Sequence, residues 1–218
     1  MPTQARSAFG IALRLGDGIA AVLNITAATN ATPIVVTTSA VHGIVDVSKV
    51  TVTNVAGNTG ANGTWIAEAV TPTTARLRGS VGNGAYTSGG VFTLDSTYAT
   101  IAEVTDIQDA GIMASVIDVS AHDGIGGWGS QIPTMLSNNS MRLVVNHVPE
   151  HPTHGTVTGL IHLMETRTRR PYLLVLPNAT KTTWWFSGYC VGWRDQAPMA
   201  GALTAQVTFE FPDAPILA

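Results

Sequence analysis

A single cysteine, Cys190, leaves no possibility of an intrachain disulfide framework, and that residue reads as a small buried apolar side chain. Charge is scarce as well: 11% of residues are Asp, Glu, Lys or Arg, and the formal net charge is -3. A surface that grips nucleic acid is excluded, because neutralising phosphates takes clustered Lys and Arg. No apolar run is long enough to cross a bilayer, so no membrane partner is expected. The opening MPTQARSAFG lacks the basic, apolar and cleavage regions of a secretory leader, which predicts assembly in a cytoplasm. Matches to Asn-x-Ser/Thr such as Asn62-Gly63-Thr64 then have no glycosylation context.

What is abundant is turn chemistry. The chain carries 22 Gly and 11 Pro between short Val, Ile and Thr runs, which predicts a mainly β protein with little helix. Tyr98 to Gly124 holds two runs, IAEVTDI and ASVIDVS, that alternate apolar and polar with the period of a half-buried strand. Gln108 to Gly111 between them reads as the bend of a hairpin or a corner. Ahead of this, Ser7 to Gly18 reads as an extended arm followed by a tight Gly-Asp-Gly turn.

From Asn24 to Leu94 the texture changes. Turn signals recur every ~8–12 residues, the spacing of a small barrel or sandwich. Asn62-Gly63 predicts a type I′ turn between strands Val50–Val55 and Thr64–Val70, with Trp65 as the core anchor. Beyond the organising stretch, Gly124 to Ser130 is a glycine-rich loop without the Lys-Ser/Thr or helix start of a phosphate cradle. Met141 to Pro149 reads as a strand. A helix is predicted after Thr153 as its cap, with Val157, Leu160, Ile161 and Met164 forming one apolar stripe and Pro171 beyond its end. Pro171–Leu176, Thr182–Val191 and Ala202–Phe211 complete the strands, with a polar hairpin tip over Arg194 to Gly201. Trp184, Trp185, Phe186 and Tyr189 are candidates for core or subunit interface.

Chemistry is harder to find. His147, His151 and His154 have a ligand-like spacing, but Pro149 and Pro152 break the helix that would align them, so no metal and no cofactor is expected. His122-Asp123 has no nucleophile elbow beside it, and Asp106 with Asp109 reads as a solvated turn, so the chain is not expected to be an enzyme. Charge is uneven: residues 95–218 hold 11 acidic and 6 basic residues, the stretch 24–94 only 2 and 3.

The run "aEVtdI…ID-V-S-aHDg", followed by Gln131-Ile132-Pro133, resembles the strand-loop-strand of the major tail tube proteins of long-tailed bacteriophages. Residues 24–94 resemble a small all-β module inserted in many phage tail and virion proteins, through the pattern ITAATNATPIVVTT, GNTGANGTW and GNGAYTSGG. These resemblances imply a tail-tube-type β-sandwich or barrel with one flanking helix, divided as 1–23 (arm), 24–94 (inserted module on the outer surface) and 95–218 (main part). They imply six-membered rings of this chain, stacked into a hollow tube through which double-stranded DNA passes unbound. Tail-tip initiator, tape-measure and tail-terminator proteins would be its other partners, and the virion its location.

On that reading Glu103, Asp106, Asp118 and Asp123 are candidates to line the lumen and repel phosphate, and Gly124, Gly126, Gly127 and Trp128 to form a ring-stacking loop. The alternative is a virion decoration protein or adhesin that binds host carbohydrate through Trp184 and Trp185.

Overall fold

The structure is a computed structural model and describes residues 10–44, 46–109, 111–119, 131–138, 140–178 and 180–217. Two compact units emerge: one runs up to Ile101 and includes Arg170–Phe186 and the last residues from Ile216, the other holds Ala102–Arg169 and Ser187–Pro215. Strands are the main regular elements of both.

The first unit opens with β1 (Ala12–Gly16), whose Leu13 and Leu15 are buried. The expected extended arm is therefore, over these residues, a strand inside a sheet; residues 1–9 of that arm lie outside the described residues. Next come β2 (Ala21–Ala28), β3 (Val35–Thr38), β4 (Val47–Ala56), β5 (Gly63–Thr71), β6 (Thr74–Leu77) and β7 (Ser88–Leu94). These six strands close into a barrel in the order β2-β3-β6-β5-β4-β7, which leaves no sheet edge unpaired. Period-two alternation fills its interior with Val36, Val50, Val52, Ala67, Leu77, Phe92 and Leu94.

The β4–β5 connection departs from expectation. Asn62 has φ -69° and ψ 132°, so it is not the left-handed residue of a type I′ turn, and a 3-10 turn at Thr59–Ala61 carries the chain round instead. The Asn62 side chain closes that loop, accepting from Val55 N–H at 2.9 Å and donating to Val55 C=O at 3.1 Å. The glycines serve close approach: a Cβ on Gly57 (φ +82°) would lie 2.1 Å from the Ala85 carbonyl oxygen. Trp65 is only half-buried, and Phe92 is the fully buried aromatic at the barrel's centre.

The barrel interrupts a hairpin. β8 (Tyr98–Thr100) pairs antiparallel with β1, Gly16 opposite Tyr98, so the chain leaves and rejoins the sheet at neighbouring points. Asp17 pins this neck, its Oδ1 accepting from Ile19 N, Ser96 Oγ and Thr97 N at 2.9–3.0 Å.

In the second unit β9 (Val104–Gln108), β10 (Ile112–Asp118), β11 (Gln131–Asn138) and β12 (Met141–Asn146) lead to α1 (Leu160–Thr166). The helix starts later than expected. Gly155 and Gly159 pack backbone to backbone, a series of turns occupies 151–158, and Val157 is 78% exposed outside the helix. Thr153 holds this turn region through its carbonyl, which accepts Leu160 N–H at 2.9 Å. Of the expected stripe only Leu160 is buried, with Ile161 and Met164 half-buried; the second buried helical residue is Leu163, and Arg167, at φ 52°, closes the helix in the left-handed conformation.

The remaining strands are β13 (Arg170–Val175), β14 (Thr183–Gln196), β15 (Thr204–Glu210) and β16 (Ile216–Leu217). In the first unit the sheet runs β8-β1-β13-β14, with β16 on β14; in the second it runs β14-β15-β12-β9. Met141, Leu143, Val145, Ala205, Val207 and Phe209 form the inward face of that second sheet.

Candidate assembly surface

Of the two alternatives for β9 and β10, hairpin or corner, the structure has the corner. β9 pairs with β12, Ile107 opposite Leu143, while β10 pairs with β11, Ile117 opposite Ile132. Asp109, at φ 60°, turns the chain between them, so that β10 departs from the sheet.

Among the described residues β10 and β11 pair as strands only with each other, forming a ribbon, so both outer edges are open. Its sequence explains why it has no inside. Ile112 and Met113, then Val116 and Ile117, are adjacent apolar pairs, and adjacent residues of a strand point to opposite faces. Both faces are consequently apolar and in water: Met135 is 76% exposed, Leu136 74% and Ile117 56%. A register shift between Ala114 and Val116 bends the ribbon, and Pro133, which lacks an N–H, sits in β11 where no second neighbour needs one. At the other end Asn138 donates to the carbonyls of Phe211 and Asp213, tying the ribbon's base to the segment after β15. Two-stranded ribbons are at best marginal alone, and contiguous exposed apolar surface of this kind marks a contact surface.

The acidic candidates are dispersed rather than gathered on one hairpin face. Glu103 precedes β9 at φ 56° and accepts from Asn146 Nδ2 at 3.2 Å. Asp106 is exposed on β9, where Gln108 Nε2 donates to it at 2.6 Å, and Asp118 is exposed at the end of β10. Asp123, Gly124, Gly126, Gly127 and Trp128 lie outside the described residues, as does His122.

Of the aromatic group, Phe186 is buried, and Trp184, Trp185 and Tyr189 are half-buried. Trp184 and Trp185 face Leu217 and Ile216 of β16 in the strand register, and Lys49 Nζ lies 3.7 Å over the Trp185 ring. One face of that indole is thus already taken.

The histidines do meet, around Trp193, with ring centres of His147 and His154 6.1 Å apart and those of His151 and His154 5.5 Å apart. Both nitrogens of His154 and one of His151 are committed. His154 Nδ1 accepts Val148 N–H at 3.2 Å, its Nε2 lies 3.0 Å from the Ala102 carbonyl oxygen, and His151 Nδ1 accepts Thr153 N–H at 3.2 Å. His147 Nδ1 is 2.7 Å from Asp195 Oδ1. No group of three or more His, Cys, Asp or Glu among the described residues is placed to hold a metal ion.

No protein-family model matches the chain, and no curated protein does. Among solved structures it is similar to a chain in the cryo-EM structure of the anti-feeding prophage baseplate, 6-fold symmetrised. That match has 14% identity, covers 56% of this chain and 83% of that one, and has a TM-score of 0.42. The likeness is too distant to assign a function.

The surface that sequence reasoning missed is the ribbon's apolar set, Ile112, Met113, Ile132, Met135 and Leu136. Its signal was present in the adjacent apolar pairs, which a half-buried strand does not carry.

Proposed function

We propose that this chain is a structural virion protein, the major tail tube subunit of a long-tailed phage, and not an enzyme. The β10–β11 ribbon supports the reading: its two open edges would be paired, and its apolar side chains brought against those of the next copy, when copies join ribbon to ribbon into a closed barrel. A head-to-tail contact of this kind closes into a ring, six-membered on the family resemblance, and rings then stack without limit into a tube. Of the four acidic candidates, Asp118 at the end of β10 is the one on the ribbon, where its charge would help DNA slide past without capture, whereas Glu103 and Asp106 belong with the β9–β12 sheet. Gly124 to Trp128 would serve ring stacking, and the inserted barrel would lie on the outer wall. Tail-tip initiator, tape-measure and terminator proteins are the expected partners.

The test is negative-stain electron microscopy of the purified chain over a concentration series, with and without a tail-tip initiator complex. Rings or hollow tubes with outer protrusions are the expected result. Compact monomers that persist with the initiator present would sink the tube reading and return attention to a carbohydrate-binding decoration protein.

A further inference from the structure

We infer that the inserted barrel is a fixed part of the subunit, its outer wall completing the hydrophobic core of the sheet it interrupts. The parity of β4 and β5 leads to this. Val50, Val52 and Ala67 point into the barrel, so Val47, Lys49 and Ile66 point out of it. Outward residues of a free-standing barrel meet water, yet Val47 is 0% exposed and Ile66 3%. Both are buried because they pack against Tyr98 of β8 and Leu173 and Val175 of β13, with Trp185 at the margin.

Around this apolar centre runs a polar rim with contributions from both sides, the anatomy of a specific interface. Trp185 Nε1 and the Tyr98 hydroxyl each donate to Asp95 Oδ2 at 2.9 Å, while Lys49 covers the Trp185 ring. On another side Asp46 receives Arg14 Nη2 at 3.1 Å and the Lys181 ammonium. Arg78 Nη1 donates to the Lys181 carbonyl at 2.8 Å, and its Nε lies 4.0 Å from Glu68. Burial pushes the Asp95 carboxyl up. Burial opposes ionisation of Asp46 too, but Lys181 and Arg14 outweigh it and hold that carboxyl down.

A tethered domain would need only the Asp17 neck and a polar outer wall. Here the sheet would expose Leu173, Val175 and Tyr98 if the barrel swung away, and the barrel would expose Val47 and Ile66. The barrel therefore reinforces the subunit, whatever else its far side does. The inference concerns the single subunit and stands whether or not copies form a tube.

Hydrogen–deuterium exchange on the full-length, unassembled chain tests it. In Ile66→Asp, which leaves the barrel's inner core intact, peptides covering Leu173–Val175 should exchange at least tenfold faster than in the wild type. Unchanged exchange there, with Phe92 still protected, overturns the inference. If Ile66→Asp unfolds the barrel itself, Val175→Thr provides the reciprocal reading from the sheet side. Faster exchange across Val47–Val50 then supports a shared core, and unchanged exchange overturns it.

Discussion

The barrel and the β10–β11 ribbon are both antiparallel β-structure made from much the same residues, yet among the described residues one has every strand edge paired and the other does not. The barrel pairs every strand on both sides and turns its apolar parity inward on Phe92. The ribbon pairs each strand once and has apolar residues on both parities. Closure is what separates them: a sheet that returns to its own first strand satisfies its edges alone, whereas an open ribbon leaves its edges free to pair, on the proposed tube reading with a second copy. Substitutions should therefore be felt as lost stability in the barrel and as lost assembly in the ribbon.

The largest effect is expected at the barrel's centre. Phe92→Ala leaves a cavity among Val36, Val52 and Leu77 and should cost about 3–5 kcal/mol in urea unfolding of the monomer. A cost below about 1 kcal/mol would mean that the barrel is not the closed, packed body described. The ribbon counterpart is the double variant Ile117→Thr, Leu136→Thr. Both side chains are already in water, so monomer stability should move by no more than about 0.5 kcal/mol. The concentration needed for polymer in sedimentation should rise at least about tenfold, since each decade corresponds to only about 1.4 kcal/mol of lost apolar burial. A destabilised monomer that still polymerised normally would reverse the comparison.

How legible each region was in sequence follows the same division. The barrel's strands were readable because alternation and turn residues act locally, between neighbours in sequence. Even there, Asn62-Gly63 misled: the asparagine closes the loop with its side chain, a choice that depends on Val55 being opposite. The pairing of β10 was not readable. ASVIDVS alternates well enough to pass for a half-buried strand, and whether its partner is β9 or β11 is decided by Asp109 turning the chain at positive φ. The docked wall of the barrel was hidden in another way, since Val47 and Ile66 are single outward residues whose partners include Leu173 and Val175, more than a hundred positions later in β13. For the helix, its existence was legible but its buried face was not: glycines 155 and 159 delay the start, so Val157 drops out and Leu163 joins Leu160 in the buried pair.

The smallest effect is a pH dependence belonging to neither region, in the histidine cluster of the second unit. His154 is fully buried, and its two nitrogens have opposite duties: Nδ1 must accept from Val148 N–H, so Nε2 must donate to the Ala102 carbonyl. Only the neutral ring does both. Burial lowers its pKa from the usual 6.5, with His151 and His147 adding to the effect and the Ala102 carbonyl opposing it. Trp193 and, beside His147, Asp195 face the cluster from β14. The unfolded chain then binds a proton that the folded one refuses, so His154 contributes stability above about pH 6.5 and loses it as pH falls through the folded value. Urea midpoints measured between pH 7.5 and 5 should decline for the wild type, and the decline should be shallower in His154→Gln. A steeper decline in the variant would show that the proton refused on folding belongs to another group.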